Sequence, residues 1–511
     1  MGLSRQVAIV AAGRVATTAS IFVVNALLAR AWPLGQFGRF SAVWILGNTL
    51  VPIFLLGVPT ALLYIFPRRP PGAARRTLVH QASAILCTSA LLLVALLWCV
   101  GGPLSGWWSG WLSGWLPGWM SPVDIGSLVL PFLPYVFSVV AAGHVEAALV
   151  ASGRATWQAW LALGGALGLV LAAWVAWHVG WGVVDTLWAL SAVAAVRGAI
   201  GWLLLAVGFE GMGLPSMTGI RALLGYASRI GLNDAVGSMS RAVDRIVVFG
   251  FLGTADLALY HVGAIEVPVS LMLAAVVTVL VPEVSRLSAA GRHEEVADLF
   301  RGAVGRLAFF ILPLFCFLFV HAGSVIDVYL PAAYSRTDEV FRIFLLALPL
   351  RCAVFNPVLV GTGRANWALY GSIGDLLLNA ILSVLLVQAL LPTQAQWALL
   401  GPAAATVLAT WCQVLVLLAL VARSLGQSWS RVLPWARLGR VGLISLTAAL
   451  TSMAASMAAS NIWDLQPLLR LVVGLSVFAP ISIGLLRFWH RPDWDELVGI
   501  ATAVKQREGS L

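Results

Sequence analysis

The chain has 511 residues, of which 60% are hydrophobic and 10% are charged. Soluble domains carry roughly 25% charged residues, so this composition excludes a water-soluble protein. The net charge of +10 would suggest nucleic-acid binding in a soluble chain. The basic residues here lie in alternating loops between apolar segments, however, and no nucleic-acid partner is predicted.

Apolar segments of about 20 residues, the length that crosses roughly 30 Å of hydrocarbon, recur along the whole chain. They predict an all-α, polytopic membrane protein with about fourteen transmembrane helices, called predicted spans 1 to 14 below. Predicted span 1 is expected to remain in the protein, because no small-residue cleavage site with polar sequence follows it. In chain order the predicted spans are 6–29, 40–66, 79–100, 126–150, 157–180, 184–208, 226–250, 255–282, 304–330, 340–362, 366–390, 397–422, 438–460 and 467–488.

The basic residues of the loops predict how these spans are oriented, because loops rich in Lys and Arg face the cytoplasm. Arg residues gather at 68–76, 286–306 and 423–440, all on the side of the N-terminus. The loops at 101–125 and 391–396, on the opposite side, contain no Lys or Arg. Both termini are therefore predicted to be cytoplasmic.

A Trp-rich loop at 106–121 repeats a four-residue unit, GWWS-GWLS-GWLP-GWMS. Gly at every fourth position disfavours a stable helix, and Trp favours the membrane–water interface. We interpret the loop as an aromatic interfacial segment, and a sugar-stacking platform on the outer face is the alternative.

Signatures of catalysis and metal binding are not found in the sequence. The five cysteines lie inside apolar spans and form no CxxC pair, which predicts neither disulfides nor metal ligands. There is no Walker A, G-x-S-x-G, HExxH or dinucleotide motif, and no loop is long enough for a folded extramembrane domain. We therefore predict a protein that is not an enzyme and that has no cofactor and no metal.

An internal repeat relates two inter-span turns that are 220 residues apart. WPLGQFGRF at 32–40 aligns with LGTADLALY at 252–260, and the aromatic residues Phe40 and Tyr260 correspond. An even number of spans separates the turns, which predicts two parallel six-helix lobes related by an axis along the membrane normal. The predicted domains are an N-terminal lobe at 1–208, a C-terminal lobe at 209–425, and spans 13 and 14 with a cytoplasmic tail at 426–511.

Charged residues inside the predicted spans are the candidate site residues, because a charge at the bilayer centre costs at least ~2.5 kcal/mol and usually faces a cavity or a partner. On predicted span 7, Asp234, Arg241 and Arg245 fall within roughly 40° of one another at about 100° per residue. Asp244 lies to the side of this polar stripe. The stripe is predicted to face the space between the two lobes.

Predicted span 1 carries Arg14 and Asn25 on one face, and Arg351 lies near the middle of predicted span 10. Several guanidinium groups around one cavity would suit a diphosphate, because each binds phosphate bidentately and stays charged. Since the spans also hold acidic residues, the alternative to substrate binding is that these arginines form structural ion pairs. We favour that alternative for Arg197, Glu146 and Asp375. His144 is predicted to form an interhelical hydrogen bond. The candidate substrate-binding residues are Arg14, Asn25, Asp234, Arg241, Arg245 and Arg351, and the candidates for ion coupling are Asp234, Asp244 and Glu266.

Several segments resemble a known family. They are LLAR at the end of predicted span 1, the WPLGQFGRF turn, LLGVPTALLYIFPRR, VDRIVVFGFLGTADLALYHVGAIEVP, VPEVSRL, and GTGRANWALY followed by LLLNAILSVLLV. In their order and placement, over roughly residues 5 to 425, they resemble the polysaccharide and oligosaccharide-lipid flippases. These flippases belong to the multidrug/oligosaccharidyl-lipid/polysaccharide (MOP) flippase superfamily.

The resemblance implies two lobes around a central cavity that rock between inward-open and outward-open states. It implies an undecaprenyl-pyrophosphate-linked oligosaccharide as cargo, moved across a bacterial inner membrane for lipopolysaccharide O-antigen or exopolysaccharide. Membrane lipids, a polysaccharide polymerase and a chain-length regulator are the implied partners. Arg14 matches the position of a cavity arginine in relatives, and Asp244 matches the acidic residue of their helix 7 motif. Trp32–Pro33 departs from the Leu-Gly of relatives at this turn.

Three alternatives remain open at this point. A cation-coupled multidrug exporter would have an acidic and aromatic cavity, whereas predicted span 7 contributes Arg241 and Arg245. A lipid II flippase is suggested by spans 13 and 14, since the resemblance implies that such a pair lines a groove for the lipid tail. A membrane polysaccharide polymerase or ligase would need a larger outer loop and a catalytic residue.

Overall fold

The computed structural model describes residues 3–101, 126–208, 219–265, 267, 269–392, 394–463 and 466–489. Within these residues every regular element is a helix, and no strand occurs. The Trp-rich loop 106–121 and Glu266 lie outside the described residues, so their assignments remain predictions.

The first eight helices belong to predicted spans 1 to 6. They are α1 (Leu3–Ala31), α2 (Leu34–Phe54), α3 (Val58–Ile65), α4 (Ala73–Gly101), α5 (Gly126–Ala141), α6 (Val145–Ala151), α7 (Ala155–Val179) and α8 (Val183–Gly208). The next six are α9 (Ile220–Ser240), α10 (Val243–Leu252), α11 (Thr254–Gly263), α12 (Ser270–Ala289), α13 (His293–Val320) and α14 (Ala322–Tyr329).

The remaining helices complete predicted spans 10 to 14. They are α15 (Thr337–Leu345), α16 (Asn356–Gly361), α17 (Ala365–Leu390), α18 (Leu400–Ser424), α19 (Trp429–Val432), α20 (Trp435–Trp463) and α21 (Pro467–Trp489). Short 3-10 turns lie at Phe66–Arg68, Ala332–Tyr334, Pro349–Cys352 and Ala395–Trp397.

Twelve helical segments of the described residues are long and apolar enough to cross a membrane, and they coincide with predicted spans 1 to 6 and 9 to 14. Predicted spans 7 and 8 are helical too, but each consists of two helices, α9 with α10 and α11 with α12. The predicted fold class, an all-α polytopic membrane protein, is therefore confirmed.

Several predicted spans consist of two helices separated by a short break. Between α2 and α3, Leu56 and Gly57 adopt left-handed φ angles of 52° and 69°. Such angles suit glycine and are uncommon for leucine. Gly57 also lies against the backbone of α9, since a Cβ added there would be 2.4 Å from the Ala227 carbonyl oxygen. The break thus brings α2 and α3 into close contact with α9.

The chain divides into two compact units. The first unit comprises the described residues of Met1–Val262 and Leu376–Pro402, and the second comprises those of Gly263–Asp375 and Ala403–Leu511. The division into lobes at 1–208, 209–425 and 426–511 remains a prediction.

In the first unit, the two repeat-related turns lie against each other. Gly38 in α2 packs on Thr254 in α11, and a Cβ added at Gly38 would lie 1.8 Å from the Thr254 carbonyl oxygen. Phe40 and Tyr260, the corresponding aromatic residues, are both fully buried. Glycine is required at position 38 because only a residue without a Cβ permits this approach.

In the second unit, α20 and α21 pack on α13. Cys316 of α13, Ala448 and Ala449 of α20, and Phe478 of α21 form a buried cluster. His321, at the end of α13, shares a hydrogen bond of 2.6 Å with the Ser452 hydroxyl. Predicted spans 13 and 14 are thus held to this unit by both apolar and polar contacts.

Candidate functional site

The candidate residues of α1 lie in two different environments. Arg14 and Asn25 are about three helical turns apart on one face, yet the Arg14 side chain is exposed and Asn25 is buried. Beside Arg14, α1 packs closely on α7, because a Cβ at Gly13 would lie 3.4 Å from the Ala162 Cβ. Arg14 therefore projects from a helix that is anchored on its neighbouring side.

The polar stripe on predicted span 7 is interrupted. The expectation of one helix over 226–250 is wrong, because α9 ends at Ser240 and α10 begins at Val243. Near the break, the Ser238 hydroxyl bonds to the Ala235 carbonyl in its own helix and to the Thr49 carbonyl of α2. Such competing hydrogen bonds from serine to backbone commonly bend helices. Asp234 and Arg241 remain exposed on this segment.

Asp244 sits at the start of α10 and is only 1% exposed. Its carboxylate accepts a hydrogen bond of 2.9 Å from the Tyr260 hydroxyl and one of 2.8 Å from the Arg245 backbone N–H. The Arg245 guanidinium lies 3.8 Å away and also donates to the Arg241 carbonyl oxygen. The charge of Asp244 is therefore balanced locally, and the carboxylate ties α10 to α11.

Tyr260 is a partner that the sequence reasoning missed. The repeat alignment paired it with Phe40, and the hydroxyl is the one polar difference between these two aromatic side chains. A buried phenol usually finds a hydrogen-bond partner, so this hydroxyl was the available signal.

The ion pair interpretation for Arg197 and Glu146 is confirmed. The Arg197 guanidinium donates to the Glu146 carboxylate, and the Gln158 amide donates to its other oxygen at 3.3 Å. The predicted interhelical role of His144 is also confirmed, since its Nε2 and the Ser83 hydroxyl are 2.7 Å apart. These residues stabilise helix packing in the first unit.

Arg14 and Arg241 differ from that pair. Within the described residues neither guanidinium forms an ion pair with a carboxylate, and both side chains are exposed. The part of the chain that the structure describes also holds no cluster of three His, Cys, Asp or Glu side chains that could bind a metal. The first unit therefore presents Arg14 and Arg241, and likewise Arg229 of α9, as accessible cations within predicted spans 1 and 7.

The second unit contains a cavity of about 410 Å³, and Arg351 lies in its wall. The cavity is bounded by α12, by the segment between α15 and α16, and by α18. That segment interrupts a candidate membrane span, Thr337–Gly361, over residues 346–355. Non-helical backbone at membrane depth is tolerated where it lines a cavity or is buried in protein.

The broken segment satisfies its own backbone groups by tighter turns. The N–H groups of Leu346, Leu348 and Arg351 bond to carbonyls three residues earlier, and the Trp411 indole donates to the Leu346 carbonyl at 3.3 Å. This geometry holds Arg351 in a 3-10 turn, half-buried beside the cavity.

Four further polar residues of this cavity were missed by the sequence reasoning: Asn356, Thr406, Thr410 and Gln413. Three of them lie on α18 at spacings of four and three residues, which places them on one helix face. That spacing, within an otherwise apolar span, was a signal in the sequence.

Two family models match parts of this chain. A model of polysaccharide biosynthesis proteins matches residues 154–338, and the model of the lipid II flippase MurJ matches residues 252–483. Among curated protein sequences, none matches the chain significantly.

Solved structures share the fold at low sequence identity. The lipid II flippase MurJ in an inward closed conformation has a TM-score of 0.66 at 14% identity, over 93% of this chain and 99% of that one. An inward-facing multidrug resistance transporter of the MATE family has a TM-score of 0.59 at 15% identity, over 79% and 94%. A MOP superfamily transporter from Pyrococcus furiosus has a TM-score of 0.54 at 16% identity, over 83% and 95%.

The helical fold and the polar groups within its spans define a multi-pass membrane protein with a transporter fold. The family models narrow that class. The chain resembles the flippases of the MOP superfamily that move lipid-linked cargo, as the sequence motifs predicted.

Proposed function

We propose that this protein is a flippase that carries an undecaprenyl-pyrophosphate-linked oligosaccharide across the bacterial inner membrane by alternating access. The match to polysaccharide biosynthesis proteins supports a saccharide cargo, and the match to MurJ supports a lipid carrier. In this proposal both termini are cytoplasmic, the transport involves no enzymatic step, and a polysaccharide polymerase receives the cargo on the outer face.

The observation that carries the proposal is the pair of exposed arginines, Arg14 and Arg241. A charge within a membrane span is costly, so it is retained where it faces a cavity or a ligand. The charge of Arg197 is compensated by its ion pair with Glu146. Within the described residues, neither Arg14 nor Arg241 forms such an ion pair. Asp234 acts on Arg241 electrostatically without a close ion pair, and a pyrophosphate would add negative charge whose oxygens guanidinium groups bind bidentately.

The other candidate residues have secondary roles in this proposal. Asn25 and Arg351 contact polar parts of the cargo, and Arg245 stays beside Asp244. If transport is coupled to an ion, Asp234 is the accessible carboxylate of the described residues in predicted span 7. Asp244 is buried and hydrogen-bonded, and Glu266 stays a candidate on sequence grounds alone.

A lipid II flippase is the second candidate, because the MurJ model extends to residue 483 and so includes most of predicted spans 13 and 14. A multidrug exporter of the MATE kind is less well supported, because exposed arginines repel a cationic cargo. In the MOP superfamily transporter from Pyrococcus furiosus, reverse polarity of the binding pocket suggests a different function. By the same physical reasoning, a cationic site favours an anionic cargo.

The test uses purified protein in proteoliposomes and a fluorescent undecaprenyl-pyrophosphate-linked saccharide as probe. A membrane-impermeant quencher reports how fast the probe changes leaflets. We expect R14A and R241A each to slow this exchange at least about tenfold, the effect of losing ~1.4 kcal/mol of binding, and R14K to retain part of it. The control is R423A, which removes an exposed arginine in the last turn of α18.

Three results would change the proposal. Exchange of the probe at the same rate in protein-free vesicles would reject the flippase activity itself. Unchanged exchange in R14A and R241A would reject the arginine site but leave the activity in place. Restoration of growth in cells depleted of their lipid II flippase, without restoration of surface polysaccharide in cells lacking their polysaccharide translocase, would favour the second candidate.

A further inference from the structure

Arginines gather at the predicted cytoplasmic side of the first unit, around the loop that joins α3 to α4. Arg68, Arg69 and Arg75 lie within a stretch of eight residues, and Arg221 lies in the first turn of α9. The side chains of Arg68, Arg69 and Arg221 are exposed, and that of Arg75 is half-buried. We call these four residues the arginine patch.

Contacts between this loop and α9 bring the patch together. The Nε of Arg75 donates a hydrogen bond of 3.0 Å to the Arg69 carbonyl oxygen. A guanidinium nitrogen of Arg69 lies 3.4 Å from where a Cβ would stand on Gly219, the residue directly before α9. The rings of Tyr64 and Tyr226 stack with their centroids 4.5 Å apart, which joins the end of α3 to α9. The loop arginines therefore lie beside the first turn of α9.

Two guanidinium groups of the patch lie over aromatic rings. The guanidinium carbon of Arg68 is 3.5 Å from the centroid of the Tyr64 ring, and that of Arg75 is 5.0 Å from the centroid of the Phe66 ring. A cation–π contact positions a guanidinium group without cancelling its charge. Among the described residues, no member of the patch forms an ion pair with a carboxylate, and residues 1–123 contain no Asp or Glu.

A group of arginines in the second unit, on the same predicted side of the membrane, is arranged differently. Three of its members each form an ion pair with a carboxylate three residues away: Arg286 with Glu283, Arg292 with Glu295, and Arg301 with Asp298. Both groups follow the preference for basic residues on the cytoplasmic side. That preference alone therefore does not account for the uncompensated charge of the patch.

The position and the chemistry of the patch define the class of ligand. The patch lies between two membrane-length segments, Leu34–Arg68 and Ala73–Cys99, which places it at the level of the lipid headgroups. Tyrosine is enriched at this level because its ring is apolar and its hydroxyl is polar. Guanidinium groups bind phosphate oxygens bidentately, and clustered basic residues beside a membrane-spanning helix attract anionic lipids.

We infer that the arginine patch binds the phosphate headgroup of an anionic phospholipid of the cytoplasmic leaflet. The headgroup accepts hydrogen bonds from the loop arginines and from Arg221, and so ties the loop to α9. A phospholipid can stay bound throughout transport, whereas a cargo that crosses the membrane cannot remain on a surface outside the spans. The inference does not depend on which cargo the protein carries.

The test measures how purified full-length protein in detergent binds two lipids with the same acyl chains, phosphatidylglycerol and the zwitterionic phosphatidylcholine. Native mass spectrometry counts the bound lipids and gives their dissociation constants. We expect the wild type to prefer phosphatidylglycerol at least about tenfold, because each basic group near the headgroup contributes about fivefold. The variant R68Q/R69Q/R75Q should lose most of this preference while its binding of phosphatidylcholine stays within about twofold of the wild type.

A matched control separates the patch from net charge. The variant R286Q/R292Q/R301Q removes the same number of arginines from the same predicted side, but these arginines are ion-paired. It should therefore keep its preference for phosphatidylglycerol within about twofold of the wild type. A second patch variant, R221Q, guards against misfolding, because the exposed Arg221 side chain makes no hydrogen bond or ion pair with the described residues. R221Q should weaken phosphatidylglycerol binding roughly threefold to fivefold.

Three results would overturn the inference. The first is equal binding of phosphatidylglycerol and phosphatidylcholine by the wild type. The second is an unchanged preference in both patch variants, or an equal loss in the control, because net charge and not the patch would then attract the lipid. The third is tighter binding of undecaprenyl pyrophosphate than of phosphatidylglycerol, lost in R68Q/R69Q/R75Q, which would make the patch a cargo site. The flippase activity is measured separately by the exchange assay, so its failure is distinguishable from each of these results.

Discussion

Replacing Gly38 with alanine is expected to force α2 and α11 apart where the two repeat-related turns meet. The new Cβ would lie 1.8 Å from the Thr254 carbonyl oxygen and 2.5 Å from its carbon. Real Cβ atoms essentially never approach other heavy atoms closer than 3.0 Å, so one backbone must move by at least about 1.2 Å. No side-chain rotation can relieve this contact, because both clashing atoms belong to the backbone of α11.

The magnitude follows from two opposing effects. Overpacking a well-packed contact costs typically about 1–3 kcal/mol, and a backbone clash belongs at the upper end of that range. Alanine gains about 0.5–1 kcal/mol over glycine in a helix. We expect a net loss of about 2 kcal/mol in the free energy of unfolding.

The assay is the thermal loss of the monodisperse peak of the detergent-solubilised protein in size-exclusion chromatography. The control is G35A in the first turn of the same helix, where an added Cβ would meet Thr254 Oγ1 at 4.0 Å, an ordinary contact. G38A should lose its peak several degrees below the wild type, and G35A should match or exceed the wild type. Equal melting of G38A and G35A would refute the reasoning from the close approach.

Three further perturbations test the polar contacts of the first unit by the same thermal assay. Y260F removes the hydroxyl that donates to Asp244 and should destabilise by about 1–3 kcal/mol because it leaves a buried carboxylate less satisfied; no change would mean that the Tyr260 hydrogen bond adds nothing to stability beyond the Arg245 N–H. R197Q should destabilise more than the double variant E146Q/R197Q, because it leaves Glu146 without its cation. That order would reverse if the pair were only incidental. S83A should lower the melting temperature by removing the partner of buried His144, whereas S424A, at a helix end outside such a contact, should not.

Six charged residues of the first unit fall into two groups with different contacts. Asp244 with Arg245 and Glu146 with Arg197 hold helices together, whereas Arg14 and Arg241 stay accessible. Variants of the first group are therefore expected to affect stability before transport, and variants of the second group transport before stability.

Hydropathy along the chain was sufficient to predict the class of fold and the positions of twelve of the fourteen predicted spans. Membrane insertion depends on the apolar length of each segment, which is a local property of the sequence. For that reason twelve predicted spans coincide with membrane-length helices of the structure. The motifs around the two inter-span turns likewise predicted the superfamily resemblance, which the family models confirm.

Where the helices break could not be predicted in the same way. Beside the break after Ser240, the Ser238 hydroxyl donates a hydrogen bond to the carbonyl of Thr49, a residue of a different helix. The interruption at 346–355 contains Pro349, which has no backbone N–H to continue a helix, and it lies beside a cavity that α12 and α18 also line. The contacts around both breaks join residues that are far apart in sequence, and the hydrophobic pattern alone did not locate these breaks.

The sequence by itself determined that this is a polytopic helical membrane protein, and which residues carry charge within its spans. Only the tertiary structure decided which of those charges are partnered: Glu146 by Arg197 and Asp244 by Tyr260 and Arg245. The physical reason is that an ion pair in a span requires two side chains within about 4 Å, and that proximity is set by helix packing. Helix packing also gathers Arg351 and the polar face of α18 around one cavity, although the sequence separates them by more than fifty residues.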